Sequence, residues 1–185
     1  MDNNTRIMIV AGARLDAWAA RISRGLAKAY PAHAAGFEAN RLDELQHAAA
    51  LSGMIEQPEI EVDDTAIVAT GSGATTPHPL LNAIYLNLVE RRSERQFRLL
   101  ARALPAHRST FRDIAADEKR HIAYGVEVLR YENDPNTLAT ILRSQERMNA
   151  IDIIDRTVPP EMRERLKVLN ATCVHGLLLD LHKRA

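Results

Sequence analysis

Cysteine is nearly missing from this sequence: Cys173 is the only one in 185 residues. An internal disulfide is thereby excluded, as are zinc or iron–sulfur sites built from the cysteines of this chain, and a reducing cytoplasm fits best. Charge of one sign is also lacking. Twenty-four Lys and Arg balance 24 Asp and Glu, and the pI lies near 7.1, so no global field draws the chain onto nucleic acid or anionic lipid. Aromatic residues make up 4% of the chain, too few to interleave with its basic stretches and stack bases. Long apolar runs are missing as well. Residues 7–11 are too few to span a bilayer, and their flank carries Asp2 and Arg6 instead of net positive charge, so neither a signal peptide nor a membrane anchor is expected.

What is present is enough apolar material for one core. With 46% hydrophobic residues in 20.6 kDa, one domain spanning 1–185 is the expectation. Segments rich in Ala, Leu, Arg and Glu, broken by Pro, predict six helices over about 14–30, 34–54, 79–103, 110–131, 136–156 and 161–183. Pro31 and Pro105 make the first and third junctions short. Between the second and third helices lies a stretch of another character, with Glu59, Glu61, Asp63 and Asp64, then Gly71, Ser72, Gly73 and Pro77. Short, long, short is the arrangement of a four-helix bundle with one long crossover, here with two further helices at the C-terminal end. A rival reading makes residues 6–10 and 65–70 buried strands opening βα units. It is disfavoured, because Gly71-Ser72-Gly73 lacks the third glycine of a dinucleotide fingerprint and no Gly-Lys-Ser/Thr is present.

Glu-x-x-His occurs twice and nowhere else, as Glu44–His47 and Glu118–His121, each time preceded by Asp (Asp43, Asp117). Composition alone predicts Asp-Glu-x-x-His about 0.03 times in a chain of this make-up, so coincidence is a weak explanation. Both pairs also sit in line with apolar positions. Phe111, Ile114, Glu118, His121, Gly125 and Val128 share one helical face, and Phe37, Asn40, Glu44, His47, Leu51 and Met54 share another. Carboxylates are buried only when paired or metal-bound, so something cationic is expected beside them. Glu at i and His at i+3 can converge on a single ion.

Internal symmetry supplies the remaining candidates. Asp16 lies 28 residues before Glu44 and Glu90 lies 28 before Glu118, and Leu15-Asp16 with Asp43–His47 repeats as Val89-Glu90 with Asp117–His121 at a shift of 74. Glu90 suits an inward stripe with Leu86, Phe97 and Ala101. Asp16 lies beside the stripe of Leu15, Trp18, Ile22 and Leu26, and Glu94 is an alternative bridging residue or an outer partner of the ligands. Asp43 and Asp117 face either the site or the solvent.

A Glu helix followed by a Glu-x-x-His helix, twice over, resembles the ferritin-like di-iron carboxylate superfamily across about 14–131. Residues 88–97 followed by 117–121 are similar to the second half of the bacterial tRNA-modifying di-iron hydroxylases. Asp117 to Gly125 also resembles ribonucleotide-reductase-like ligand-binding oxidases and N-oxygenases. The resemblance implies a ferritin-like bundle and a metal set of Asp16, Glu44, His47, Glu90, Glu118 and His121 holding two iron ions, with manganese as the alternative. It further implies dioxygen as oxidant, an external electron donor and an organic substrate, a modified tRNA nucleoside among the candidates. No catalytic residue beyond the ligands is expected. An Asp in the first helix, where the family usually has Glu, departs from the pattern.

Four carboxylates balance two divalent ions, and Phe97, Ile114 and Leu51 would keep water from the site. Arg91, Arg92, Arg95 and Arg98 form a basic run, either a solvated helix face or a tRNA contact. His33, His78, His107 and His182 are expected to be solvated, and Cys173 to be a small core residue instead of a metal corner with His175. A homodimer is compatible with this reading. Two other classes stand beside it: a ferritin-like protein that oxidises iron or scavenges peroxide, and a non-enzymatic helical interaction protein with a vestigial site.

Overall fold

The computed structural model describes residues 3–55, 79–154 and 160–183, and every regular element among them is helical. Six α-helices follow in order: α1 (Asn3–Ala29), α2 (Ala34–Met54), α3 (Pro79–Ala103), α4 (Arg108–Glu132), α5 (Thr137–Ile154) and α6 (Pro160–His182). Single 3₁₀ turns, Pro31–His33 and Pro105–His107, separate α1 from α2 and α3 from α4. None of the helices is long and apolar enough to cross a membrane, among the described residues. The expected crossover at 56–78, with its acidic cluster, Gly71-Ser72-Gly73 and His78, lies outside the described residues.

Residues 6–10 are not a strand. They belong to α1, which begins at Asn3, about three turns before the start expected from the sequence. No proline or turn pair separates Val10 from Arg14, so the helix propagates through Ala11, Gly12 and Ala13, and the apolar run alone does not tell strand from helix.

The chain divides into two compact units, residues 1–69 and 70–185. In the first unit α1 and α2 pack along each other as a helical hairpin. Its turn follows from local chemistry. Pro31 pushes Tyr30 out of the helical region, to φ −120° and ψ 77°, while Pro itself occupies the first position of the 3₁₀ turn, where no N–H is needed. The buried seam of α1 contains Ile9, Ala13, Asp16, Ala20, Ser23 and Ala27, with Trp18, Ile22 and Leu26 along its side. Small residues let the two helices approach, and Phe37 of α2 fills the end of the hairpin beside Tyr30, ring centroids 6.3 Å apart.

The second unit repeats this hairpin and adds to it. Leu104 before Pro105 takes φ −122° and ψ 81°, and α3 and α4 pack together beyond the turn. Pro31-Ala32-His33 and Phe37 recur as Pro105-Ala106-His107 and Phe111, at the same shift of 74 that relates the Glu-x-x-His motifs. Phe111 is fully buried, stacked on Phe97 at 6.2 Å and met edge-on by His107. His33 and His107 are half-buried in these turns, not solvated as their positions at helix ends suggest, whereas His182 is exposed. Helices α5 and α6 pack on each other and both lie against α3, with α6 also touching α4. Residues 83 to 91 of α3 are therefore buried on every face, as an inner helix requires.

Candidate metal centre

Asp16 of α1 and Glu44 and His47 of α2 meet inside the first unit. One ligand atom from each lies within 4.8 Å of the other two, and none of the three residues exceeds 5% exposure. The Glu-x-x-His spacing places Glu44 and His47 one turn apart on the same face, with Nδ1 of His47 3.8 Å from Oε2 of Glu44. Asp16 reaches them because the seam of α1 is set by Ala13, Ala20, Ser23 and Ala27 as much as by its large residues. The stripe of Leu15, Trp18, Ile22 and Leu26 marks its edge: Leu15 is only half-buried while Asp16 is enclosed.

The second unit assembles Glu90 of α3 with Glu118 and His121 of α4. Nδ1 of His121 lies 3.8 Å from Oε2 of Glu118 and 4.0 Å from Oε1 of Glu90, and all three side chains are at most 3% exposed. Phe97, Phe111 and Ile114 of the same hairpin are buried, and Leu51 is buried on α2 of the other. In each group two helices of a hairpin contribute, the first a single carboxylate and the second a carboxylate and an imidazole.

Separations of 3.8–4.0 Å are too long for hydrogen bonds. They suit donors sharing an ion, since two ligands each about 2.1 Å from a metal lie roughly 3–4.2 Å apart. The donor set is also right for a divalent transition metal: carboxylate oxygen and imidazole nitrogen, with no thiolate. Among the described residues Arg91 is the one Lys or Arg that is buried, and its guanidinium is turned to Asp180 of α6, Nη2 to Oδ2 2.8 Å. The six residues thus fit divalent cations in both composition and spacing.

The outer candidates have these surroundings. Glu94 accepts a bond of 2.9 Å from Arg98, Asp117 is paired with Arg120 one turn on, and Asp43 is half-buried. Of the basic run, Arg98 is exposed and Arg92 and Arg95 are half-buried. Arg91 does not belong to that surface: its place one residue after Glu90 on an inner helix turns it into the protein, where it donates to Asp180 and, through Nε, to Oδ1 of Asn87 at 2.9 Å. Cys173 is fully buried while His175 is exposed, so the two form no metal corner. Burial pushes the Cys173 thiol up, against the opposing charges of Arg95, Arg92 and Arg91. Burial would also raise the Asp180 carboxyl, but hydrogen bonds from Lys183 and Arg91, reinforced by their charges, hold it below the usual value.

Asn87 and Asp180 are functional candidates that spacing did not single out. Asn87 stands one helical turn before Arg91, which is a readable pairing, whereas Asp180 lies 89 residues away in sequence and has no local signal. Comparison of the chain with protein-family models, curated proteins and solved structures gives no match in any of the three.

Proposed function

We propose that this chain is a ferritin-like di-iron oxidase or oxygenase, in which the two groups hold the two irons and dioxygen is used to oxidise or hydroxylate an organic substrate. The observation that carries the reading is the pair of buried carboxylate–imidazole groups, Asp16–Glu44–His47 and Glu90–Glu118–His121, related by a 74-residue sequence repeat. Four carboxylates balance two divalent ions. When bound, two irons supply the electrons that reduce dioxygen.

The chain's own contribution is placement and shielding. Glu44 and His47 on α2, and Glu118 and His121 on α4, are held one turn apart by helix geometry, so each pair is preorganised before a metal arrives. Glu90 and Asp16 enter from the partner helix of each hairpin. Buried Phe97, Phe111 and Ile114 exclude water from the second group, which favours attack on a C–H or N–H bond of the substrate over loss of the oxidant to solvent. A modified tRNA nucleoside is the substrate class we favour, with the exposed Arg98 of α3, flanked by the half-buried Arg92 and Arg95, to meet phosphate. Arg91 has no share in that contact.

Anaerobic addition of ferrous ion, followed by oxygen uptake in the presence of a reductant, tests the activity. Two irons per chain and reductant-dependent oxygen consumption are expected, with nucleosides of bulk tRNA then compared with and without the protein. Loading with many irons per chain would instead indicate a storage protein, and absence of iron binding an interaction protein.

A further inference from the structure

A polar relay, buried at Asn87 and Arg91 and partly exposed at Asp180, runs through the second unit. Asp180 of α6 accepts from Arg91 (2.8 Å), Arg91 donates through Nε to Asn87 Oδ1 (2.9 Å), and Asn87 donates through Nδ2 to the backbone carbonyl of Ile122 (2.9 Å). Both ends of its inner part touch the second metal-binding group by sequence. Arg91 follows Glu90 directly, Asn87 precedes it by one turn, and Ile122 follows His121. Asn87 is fully buried and Arg91 nearly so, and two glycines make room for them. A Cβ at Gly125 would stand 2.6 Å from Asn87 Nδ2, and one at Gly176 would stand 3.0 Å from Arg91 Nη1.

The equivalent positions of the first unit carry none of the relay's side chains. At the shift of 74, Asn87, Arg91 and Gly125 correspond to Ala13, Ala17 and Leu51. Those apolar side chains cannot form the same bonds, so the relay is particular to the second unit. It is found where α6 packs against the ligand-bearing helices α3 and α4. Arg130 of α4 adds a second tie, donating to the carbonyls of Asp180 and Lys183 at the end of α6.

We infer that Asn87, Arg91 and Asp180 are positioning residues that couple the C-terminal helix α6 to the second metal-binding group, fixing the relative placement of Glu90 and His121. The inference rests on the metal reading above. A carboxylate on α3 and an imidazole on α4 meet on one ion only if the two helices keep their register. The Asn87–Ile122 bond crosses that interface within one turn of both ligands, and Arg91 locks the amide in the orientation that donates.

Titration of the full chain with Co(II) alone, followed by visible absorption, tests the coupling. The parent, Arg91→Met, Arg91→Lys, Gly125→Ala and Lys183→Ala are compared, with helicity and thermal unfolding recorded metal-free. Arg91→Met is expected to weaken binding of one of the two ions about ten-fold or more and to change the absorption band. Arg91→Lys, which reaches either Asn87 or Asp180 but not both, is expected to fall between. Gly125→Ala is the second arm should Arg91→Met not fold: alanine raises helix propensity yet pushes the Asn87 amide away, so metal affinity is expected to fall while metal-free stability holds. Lys183→Ala removes only the outer partner of Asp180 and is expected to bind as the parent does. Parent-like affinity and spectrum in Arg91→Met, or in Gly125→Ala where that variant decides, overturn the coupling alone. A parent that binds no Co(II) overturns both the coupling and the metal reading.

Discussion

Asp180 shows how a single side chain can be read for its pH behaviour. Its carboxyl is held below the ordinary value, so its stabilising contribution is complete above the unfolded-state pKa and is lost as pH falls through the lower folded-state value. Protonation would leave the Arg91 guanidinium buried and still charged. Asp180→Asn is therefore expected to cost about 1–2 kcal/mol at pH 7, a value reduced for the partial exposure of the carboxylate. The gap to the parent should close as pH falls below the ordinary carboxylate range, since the parent carboxyl then titrates as well. Denaturant midpoints of both proteins across that range check it, and a gap independent of pH would contradict the assignment. Cys173 offers a second residue-scale expectation. Burial raises its thiol pKa and denies reagents access, so reaction with a thiol-specific disulfide reagent should be slow in the folded protein and complete in denaturant.

At the scale of the element, prolines and the Glu-x-x-His spacing made most of the fold legible. Pro31 and Pro105 end helices for a steric reason that needs no tertiary information, and α2 and α3 begin and end where the sequence predicts. Burial of Glu44, His47, Glu118 and His121 followed from their register with Phe37, Leu51, Phe111 and Ile114. Asp16 was harder to place. Its seam is lined by Ala13, Ala20, Ser23 and Ala27, and small residues carry almost no weight in an apolar-stripe argument although they let two helices come close. The N-terminal extension of α1 was missed because a five-residue apolar run is equally a strand or a helix until its neighbours are packed. Asp180 was illegible because its partner is in another helix altogether. The end of α4 carries its own test. Asn133, at φ 42° and ψ 44°, takes the left-handed conformation that closes the helix, with its N–H bonded to the Leu129 carbonyl. Asn133→Gly should be neutral or slightly stabilising, whereas Asn133→Val should cost about 1–2 kcal/mol, measurable by thermal unfolding.

At the scale of the whole molecule, two helical hairpins built on one repeat each enclose an acid–imidazole group, and the second bears the added helices α5 and α6. Binding of divalent ions to the folded chain alone would raise its stability by mass action. At a free concentration a hundred-fold above Kd the gain is about 2.7 kcal/mol per site, or roughly 5–10 °C in Tm for a chain of this size. Calcium, which prefers six to eight oxygen ligands, should give less than ferrous or cobaltous ion. The central claim, that the two buried groups are metal sites, is tested most directly by metal analysis of the protein reconstituted anaerobically with ferrous ion and freed of excess. The account predicts about two irons per chain, and a clear loss of iron in His47→Ala and in His121→Ala with helicity retained. Iron well below one per chain in the parent, or two per chain in both variants, would contradict it.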